Sequence, residues 1–318
     1  MKRFMITGAN GSLGQDIIAH FMQGAGDTPV EITALDREVG ATLGSENCKV
    51  NWHGFDLTQG DIAAFFRATR FDAVLHLAAI TGQAAEDDPA YTTALNFETT
   101  RNLQALCAAA DTRFVFTSSI GAIGDANGIS VADETTPCAP RSQYGQTKHK
   151  SEQFIGQENA DGEDCWALRL PTLLLRQKAR TGLPTTGFLS DISRALFTDG
   201  QAMSPMRADY KVAVASIADA SRALIRLATQ PIPEGTPAVL NLPAYSATPA
   251  DILAVIREFR DCSLSYPDEN NERILSLTGF WPGSLVSCAS DLLGVANNRK
   301  SREELRKIMQ LALPGALV

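Results

Sequence analysis

The sequence predicts an α/β protein: a doubly wound parallel sheet with helices on both faces, followed by a smaller C-terminal lobe. Three observations predict it. The apolar run Phe4-Met5-Ile6-Thr7 opens into Gly8, Gly11 and Gly14, after which Leu13, Ile17, Ile18 and Phe21 recur at helical spacing. Short apolar runs then alternate with helical-period segments as far as Leu170, the rhythm of a parallel sheet covered on both sides. Beyond Leu170 that rhythm breaks, and residues 171–211 carry prolines, glycines and arginines instead.

In chain order, Val30-Glu31-Ile32-Thr33-Ala34-Leu35 reads as the second strand and ends on Asp36. Lys49 to His53 suggests a third strand, and Asp56-Leu57 a turn after it. Asp61 to Arg70 makes a short amphipathic helix with Ile62, Phe65 and Phe66 on one face. Ala73-Val74-Leu75-His76-Leu77 is a buried strand running into Ala78-Ala79, with His76 read as a satisfied core histidine. A long helix is expected near Tyr91–Ala110, with Leu95, Leu103, Leu106 and Cys107 apolar. Arg113 to Thr117 and Asp164 to Leu170 are the fifth and sixth strands. Later come helices near Phe188–Phe197 and Ile217–Thr229, and a strand at Ala238–Leu242. Thr248-Pro249-Ala250-Asp251 opens a helix with an N-cap hydroxyl, proline at N1 and an acid at N3. Ser301-Arg302-Glu303-Glu304 is a capping box for the last helix. The expected division is a nucleotide-binding domain over residues 1–170, rejoined at about 212–242, and a substrate lobe from 171–211 and 243–318.

At 318 residues the chain can bury a large core, and 44% hydrophobic with 20% charged residues is ordinary for a soluble enzyme. A net charge of -8 with no basic stripe argues against a nucleic-acid partner. The N-terminus shows neither a cleavage pattern nor a long apolar segment, so no signal peptide or membrane span is expected and the cytoplasm is. The six cysteines lie far apart without a C-x-x-C pair, and the four histidines are scattered. Reduced thiols and no metal centre are expected.

A strand, a glycine turn and a helix N-terminus in that order make an anion site. Glycines let the backbone approach a pyrophosphate, and free N–H groups with the helix dipole face its charge. The spacing here is G-x-x-G-x-x-G rather than the G-x-G-x-x-G of the dinucleotide fingerprint. A carboxylate at Asp36 accepts hydrogen bonds from ribose hydroxyls and repels a 2′-phosphate, selecting NAD over NADP, while the adjacent Arg37 softens that choice. Asp56 and Leu57 are placed to reach the adenine, and Ala78 and Ala79 are small enough for the cofactor to lie against the backbone. In Tyr144-Gly145-Gln146-Thr147-Lys148, residues four apart share a helix face, which sets Lys148 beside Tyr144. An isolated phenol, with a pKa near ~10, is a poor base at neutral pH, and a neighbouring ammonium favours the phenolate. Upstream, Thr117-Ser118-Ser119 ends the fifth strand, where a serine can polarise a substrate hydroxyl.

The glycine turn, Asp36, Asp56-Leu57, His76-Leu77-Ala78-Ala79, Phe116-Thr117-Ser118-Ser119 and Tyr144/Lys148 together resemble an extended short-chain dehydrogenase/reductase, in the branch that includes nucleotide-sugar epimerases. The resemblance spans roughly residues 1–180 and implies a Rossmann-type fold with NAD. It makes Ser119, rather than Ser118, the catalytic serine beside Tyr144 and Lys148. It also implies that Gly8, Asn10, Gly11, Ser12, Leu13, Gly14, Leu77, Asn96, Thr117, Pro171 and Thr172 belong to the cofactor site. Family members commonly pair through the helices near Tyr91–Ala110 and Tyr144–Gln157, so a homodimer is expected.

Three functions are open within that branch. Nucleotide-sugar epimerases follow the sixth strand with an R-x-x-N-V-Y-G-P-like stretch, whereas this chain reads Arg169-Leu170-Pro171-Thr172-Leu173-Leu174-Leu175-Arg176. Sugar dehydratases place an Asp-Glu pair where Ile120-Gly121 stand. A non-catalytic dinucleotide sensor has no need of Ser119, Tyr144 and Lys148 together. Hydride transfer by a simple dehydrogenase fits best. Arg169-Leu170-Pro171-Thr172, Arg176, Phe188-Leu189-Ser190 with Arg194, Asn241-Leu242-Pro243 and Trp281-Pro282-Gly283 are similar to the D-erythronate dehydrogenase group. That similarity implies NAD-dependent oxidation of the C2 hydroxyl of a small sugar acid. A carboxylate is best fixed by a planar guanidinium, and Arg176, just past the sixth strand, is expected to grip it in preference to Arg194. The chain departs from the group at Arg176-Gln177-Lys178, where the group reads Arg-Pro-Gly.

Overall fold

The computed structural model describes residues 1–24, 28–40, 44–126, 128–174, 187–298 and 300–312. Seven strands form the main sheet: β1 (Lys2–Thr7), β2 (Val30–Asp36), β3 (Cys48–Gly54), β4 (Ala73–His76), β5 (Arg113–Ser119), β6 (Cys165–Leu170) and β7 (Val239–Asn241). All neighbours pair in parallel, in the order β7-β6-β5-β4-β1-β2-β3. The order reverses at β1, whose partners are β2 and β4. A crevice opens outside the carboxyl ends of β1 and β4 at such a reversal, and a ligand site follows from topology alone.

Both faces of the sheet are covered, which is why its strands read as continuous apolar runs. Phe4, Ile6, Leu75, Val115 and Leu168 pack on one side with Ile17, Ile18, Ala220 and Leu224 from the helices Ser12–Gly24 and Ile217–Thr229. Met5, Val74, Phe114 and Phe116, one residue out of phase, face Leu103, Cys107 and Ile155 on the other. A separate core holds Leu174, Phe188, Ile192, Val214, Tyr245, Ile252, Ile256, Leu305 and Met309. Beside it lies a three-stranded sheet in which Val212–Ser216 pairs with Thr172–Leu174 and with Tyr245–Ala247. Val212–Ser216 thus stands in the small sheet, while Ile217–Thr229 and β7 return to the large one.

The helix expected over Tyr91–Ala110 forms as three consecutive pieces: Pro89–Thr93, a π-helical turn Ala94–Glu98, and Thr99–Ala109. The wide turn centres on buried Asn96, whose carbonyl accepts from the hydroxyls of Thr100 (2.8 Å) and Ser151 (3.3 Å). The expected helix at Asp61 to Arg70 shortens to Ala63–Ala68, and β5 runs on to Ser119. Thr248 and Asp251 form the reciprocal capping box at the head of Pro249–Ile256.

Candidate active site

The glycine turn has two glycines enclosed by backbone and a third, Gly11, with a single close neighbour. Gly8 has φ +68°, and a Cβ there would fall 2.7 Å from the Ala78 nitrogen. At Gly14 a Cβ would fall 2.5 Å from the Ala9 carbonyl oxygen, so the helix could not pack this close to the strand. At Gly11 the nearest atom is the Gly8 carbonyl oxygen at 3.2 Å, and the rest of the approach is free. A backbone that only glycine keeps clear, in front of the N-terminus of Ser12–Gly24, fits a pyrophosphate. Next to it, Asn10, Gly11, Asp36, Arg37 and Glu38 line a shallow hollow. Asp36 Oδ2 accepts the Asn10 N–H at 2.9 Å, which fixes the carboxylate at the end of β2.

A cleft of about 310 Å³ runs from the turn to the junction with the C-terminal core. Gly8, Gly11, Ser12, Leu13, Gly14, Leu77, Ala79, Thr117, Ser119, Tyr144, Lys148, Pro171 and Thr172 line it, all positions named from the sequence. Ser119 caps the short turn Ile120–Ile123, its Oγ accepting the Gly121 N–H at 3.1 Å. Tyr144 stands in the first turn of Gln143–Ala160, where Ser142 Oγ accepts the Gly145 N–H at 3.0 Å. The side-chain-free faces of Gly121 and Gly145 let these two elements meet: a Cβ on Gly145 would collide with the Gly121 carbonyl oxygen. A Cβ on Gly121 would lie 3.3 Å from Trp281, 3.4 Å from Ser119 Oγ and 3.6 Å from Tyr144 Cδ1, so the three side chains converge there.

Lys148 is buried. Its ammonium donates to the Thr117 carbonyl at 2.6 Å and lies 4.2 Å from the Phe116 ring centre and 5.8 Å from that of Tyr144. Burial pulls its pKa down to about 7, against the opposing field of Glu152. Glu152 in turn accepts two parallel bonds from Arg169, both at 2.9 Å, and one from Ser118 Oγ. Burial pushes its carboxyl up, but His149, the Arg169 guanidinium and Ser118 together hold it below the usual range. Cys138, His149 and Glu152 bring donor atoms within 4.8 Å of one another, but the Arg169 guanidinium bonds both Cys138 (3.2 Å) and Glu152. A second cation there would meet that fixed positive charge.

The remaining expected residues sit elsewhere. Ala78 packs behind Gly8 and its N–H donates to Thr7 Oγ1 at 3.3 Å. Asn96 exchanges hydrogen bonds with the backbone of Ile80 at 2.9 and 3.0 Å, and so holds the segment after β4 rather than lining the cleft. Asp56 turns to its own loop, accepting from Thr58 N and Oγ1, and neither it nor Leu57 lines the cleft or the Asp36 hollow. Arg194 pairs with Asp191 at 3.1 Å and does not line the cleft. Arg176 lies outside the described residues. His76 is the satisfied core histidine expected: Thr7 Oγ1 and Thr100 Oγ1 flank its ring nitrogens at 2.6 and 3.0 Å.

Several lining residues escaped the sequence reading: Thr81, Gly82 and Glu86 after β4, Ser142 before Tyr144, and Leu277 and Trp281 from the C-terminal part. Trp281 had a signal in the sequence, where Trp281-Pro282-Gly283 reads as a stretch similar to one family group. Glu86 had none.

A glycine-turn cofactor cleft joined to a Ser/Tyr/Lys set defines an oxidoreductase of the short-chain dehydrogenase/reductase class. The chain belongs to the NAD dependent epimerase/dehydratase family, which it matches over residues 4–242. It is an NAD-dependent enzyme. It is 27% identical over 319 residues to a D-erythronate dehydrogenase of Cupriavidus necator, covering 96% of this chain and 97% of that one. A D-erythronate dehydrogenase of Haemophilus influenzae is 27% identical over 229 residues, 70% of this chain and 72% of the relative. Among solved structures, an L-threonine dehydrogenase from Clostridium difficile superposes with TM-score 0.84 at 23% identity, covering 100% and 99% of the two chains. A nucleoside-diphosphate-sugar epimerase from Agrobacterium tumefaciens does so with TM-score 0.85 at 24% identity, covering 99% and 94%. These two likenesses speak to the fold.

Proposed function

We propose that the enzyme oxidises the C2 hydroxyl of a small sugar acid, D-erythronate or a close relative, to the 2-oxo acid. The observation that carries this reading is the convergence of Ser119, Tyr144 and Lys148 on a cleft whose far wall is the glycine turn. The relatives named D-erythronate dehydrogenase support the substrate class. NAD, when bound, supplies the acceptor for the hydride. Gly11, the N-terminus of Ser12–Gly24, Asp36, Thr117 and Lys148 would hold it.

The chain's own residues manage the proton. Ser119 Oγ accepts the Gly121 N–H, which leaves its O–H to donate to the substrate hydroxyl oxygen and fix it. Tyr144 Oη removes the hydroxyl proton as general base. Lys148, one helical turn from Tyr144 and pinned by the Thr117 carbonyl, favours the phenolate by its charge. Trp281 and Leu277 line the substrate end with apolar surface. For the carboxylate we propose Arg176 over Arg194, whose guanidinium is engaged with Asp191. A homodimer in the cytoplasm completes the proposal; the six cysteines, all outside disulfides, fit a reducing compartment.

A screen of aldonic, uronic and 2-hydroxy acids together with UDP-sugars, followed by NADH absorbance, tests the substrate. Activity on UDP-sugars alone replaces the reading with an epimerase. On the best acid, Tyr144→Phe should lower kcat by ~10²–10⁴-fold, the range for losing a positioned acid–base group, with NAD affinity nearly unchanged. A variant that keeps almost full activity removes Tyr144 as the base.

A further inference from the structure

Glu86 lies in the short helix Gln83–Asp87 that follows β4. Its carboxylate is held at both ends: Oε2 accepts the Gln143 N–H at 3.0 Å and Oε1 the Tyr144 N–H at 3.3 Å. Those N–H groups belong to the first turn of Gln143–Ala160, where the helix leaves its donors unpaired. Glu86 also lines the cleft that holds Ser119 and Tyr144. An ionised carboxylate offers about four acceptor sites. The two backbone bonds occupy part of that capacity, and no other donor among the described residues reaches the group.

Among the described lining residues, Glu86 is the one carboxylate and Lys148 the one cation, and Lys148 already bonds the Thr117 carbonyl. Among these residues, Glu86 therefore sets the one negative charge beside the turn that carries the base. That charge repels a substrate carboxylate and receives hydroxyl protons through charge-assisted bonds, which are about twice as strong as neutral ones. Resting on the sugar-acid reading above, we infer that Glu86 is a specificity residue that receives the distal hydroxyls of the substrate and directs its carboxylate to the opposite end. The enzyme thereby separates polyhydroxy acids from plain 2-hydroxy acids of the same length.

The test compares kcat/KM for the best sugar acid with that for the unbranched 2-hydroxy acid of equal carbon number, D-erythronate against 2-hydroxybutyrate in the first instance. If the plain acid turns over too slowly, its inhibition constant against the sugar acid takes its place. In Glu86→Gln the ratio in favour of the sugar acid should fall roughly 10–100-fold, mainly through KM, the scale of one lost hydrogen bond to a charged group. Should that variant not fold, as judged by circular dichroism, Glu86→Asp takes its place: it keeps the charge but withdraws it by one methylene, and should lower the same ratio to a smaller extent. Equal proportional losses on both acids would show that Glu86 only anchors the helix, and would overturn this inference while leaving the sugar-acid reading standing. Failure of the wild-type enzyme to oxidise any sugar acid would remove that reading, and the inference with it.

Discussion

His76 shows how one residue couples the cofactor loop to the pH scale. Thr100 Oγ1 donates to the Asn96 carbonyl at 2.8 Å, so it accepts from the ring Nε2–H, and Nδ1 accepts from Thr7. Thr7 Oγ1 also receives the Ala78 N–H, so a neutral imidazole is satisfied on both sides and ties β1, β4 and the π-helical turn together. Burial, with the Lys148 charge adding to it, drives its pKa from 6.5 down to about 3. An unfolded chain takes up this proton as pH falls below about 6.5, whereas the native state refuses it until about 3. The stability it confers is complete above 6.5 and is lost as pH falls through that window. Urea unfolding at pH 7 and at pH 4 should accordingly show a loss of several kcal/mol in the wild type, and a smaller loss in His76→Gln. An equally steep loss in the variant would clear His76 of the role.

At the scale of an element, the glycine turn divides its work between folding and binding. Gly8 and Gly14 are packed against Ala78 and Ala9, with Gly8 in the left-handed region as well. Alanine at either should destabilise the fold by more than ~1 kcal/mol, through strain at Gly8 and forced separation of helix and strand at Gly14. Gly11 meets only one backbone oxygen, at 3.2 Å. Gly11→Ala needs a shift of only a few tenths of an ångström against that oxygen, so it should cost less stability than alanine at Gly8 or Gly14 and lose NAD affinity by roughly tenfold or more, because its methyl occupies the approach to the pyrophosphate. Thermal melts and NADH fluorescence titrations on the three variants separate the two roles. Equal NAD affinity in Gly11→Ala and wild type would move the cofactor elsewhere.

Over the whole molecule, a few long-range polar anchors join parts of the chain that the cores leave separate. Glu134 receives the Asn241 N–H at 3.0 Å, the Ser287 hydroxyl at 2.6 Å and the Cys288 N–H at 3.2 Å, linking the end of β7 to the C-terminal segment. Alongside it, Ser284–Leu285 pairs with Val131–Ala132 just beyond Ile120–Ile123. Trp281 is brought to Ser119 and Tyr144 by this arrangement, so the cleft is completed from the far end of the chain. Association of two copies is the expectation at this scale. Light scattering should return twice the chain mass of 34.1 kDa, and a single-chain mass at micromolar concentration would remove the dimer.

The cofactor half was legible in the sequence because its requirements are short-range. Gly8 and Gly14 answer to backbone clearance within one turn, Asp36 to a strand end, and Tyr144 with Lys148 to the pitch of a helix. Each leaves a spacing that can be read without knowing the fold. The burial of Lys148 against Phe116 and Thr117 was decided by tertiary packing, as was the engagement of Asn96 with Ile80. Glu86 and Trp281 reach Tyr144 across 58 and 137 positions (144 − 86 and 281 − 144), and no periodicity connects residues so far apart. The sequence by itself determined the class of chemistry, because hydride transfer with NAD needs a local turn and a local helix pair. Only the folded chain decided what surrounds Ser119 and Tyr144, since a carboxylate after β4 and an indole from the C-terminal segment become neighbours through packing alone.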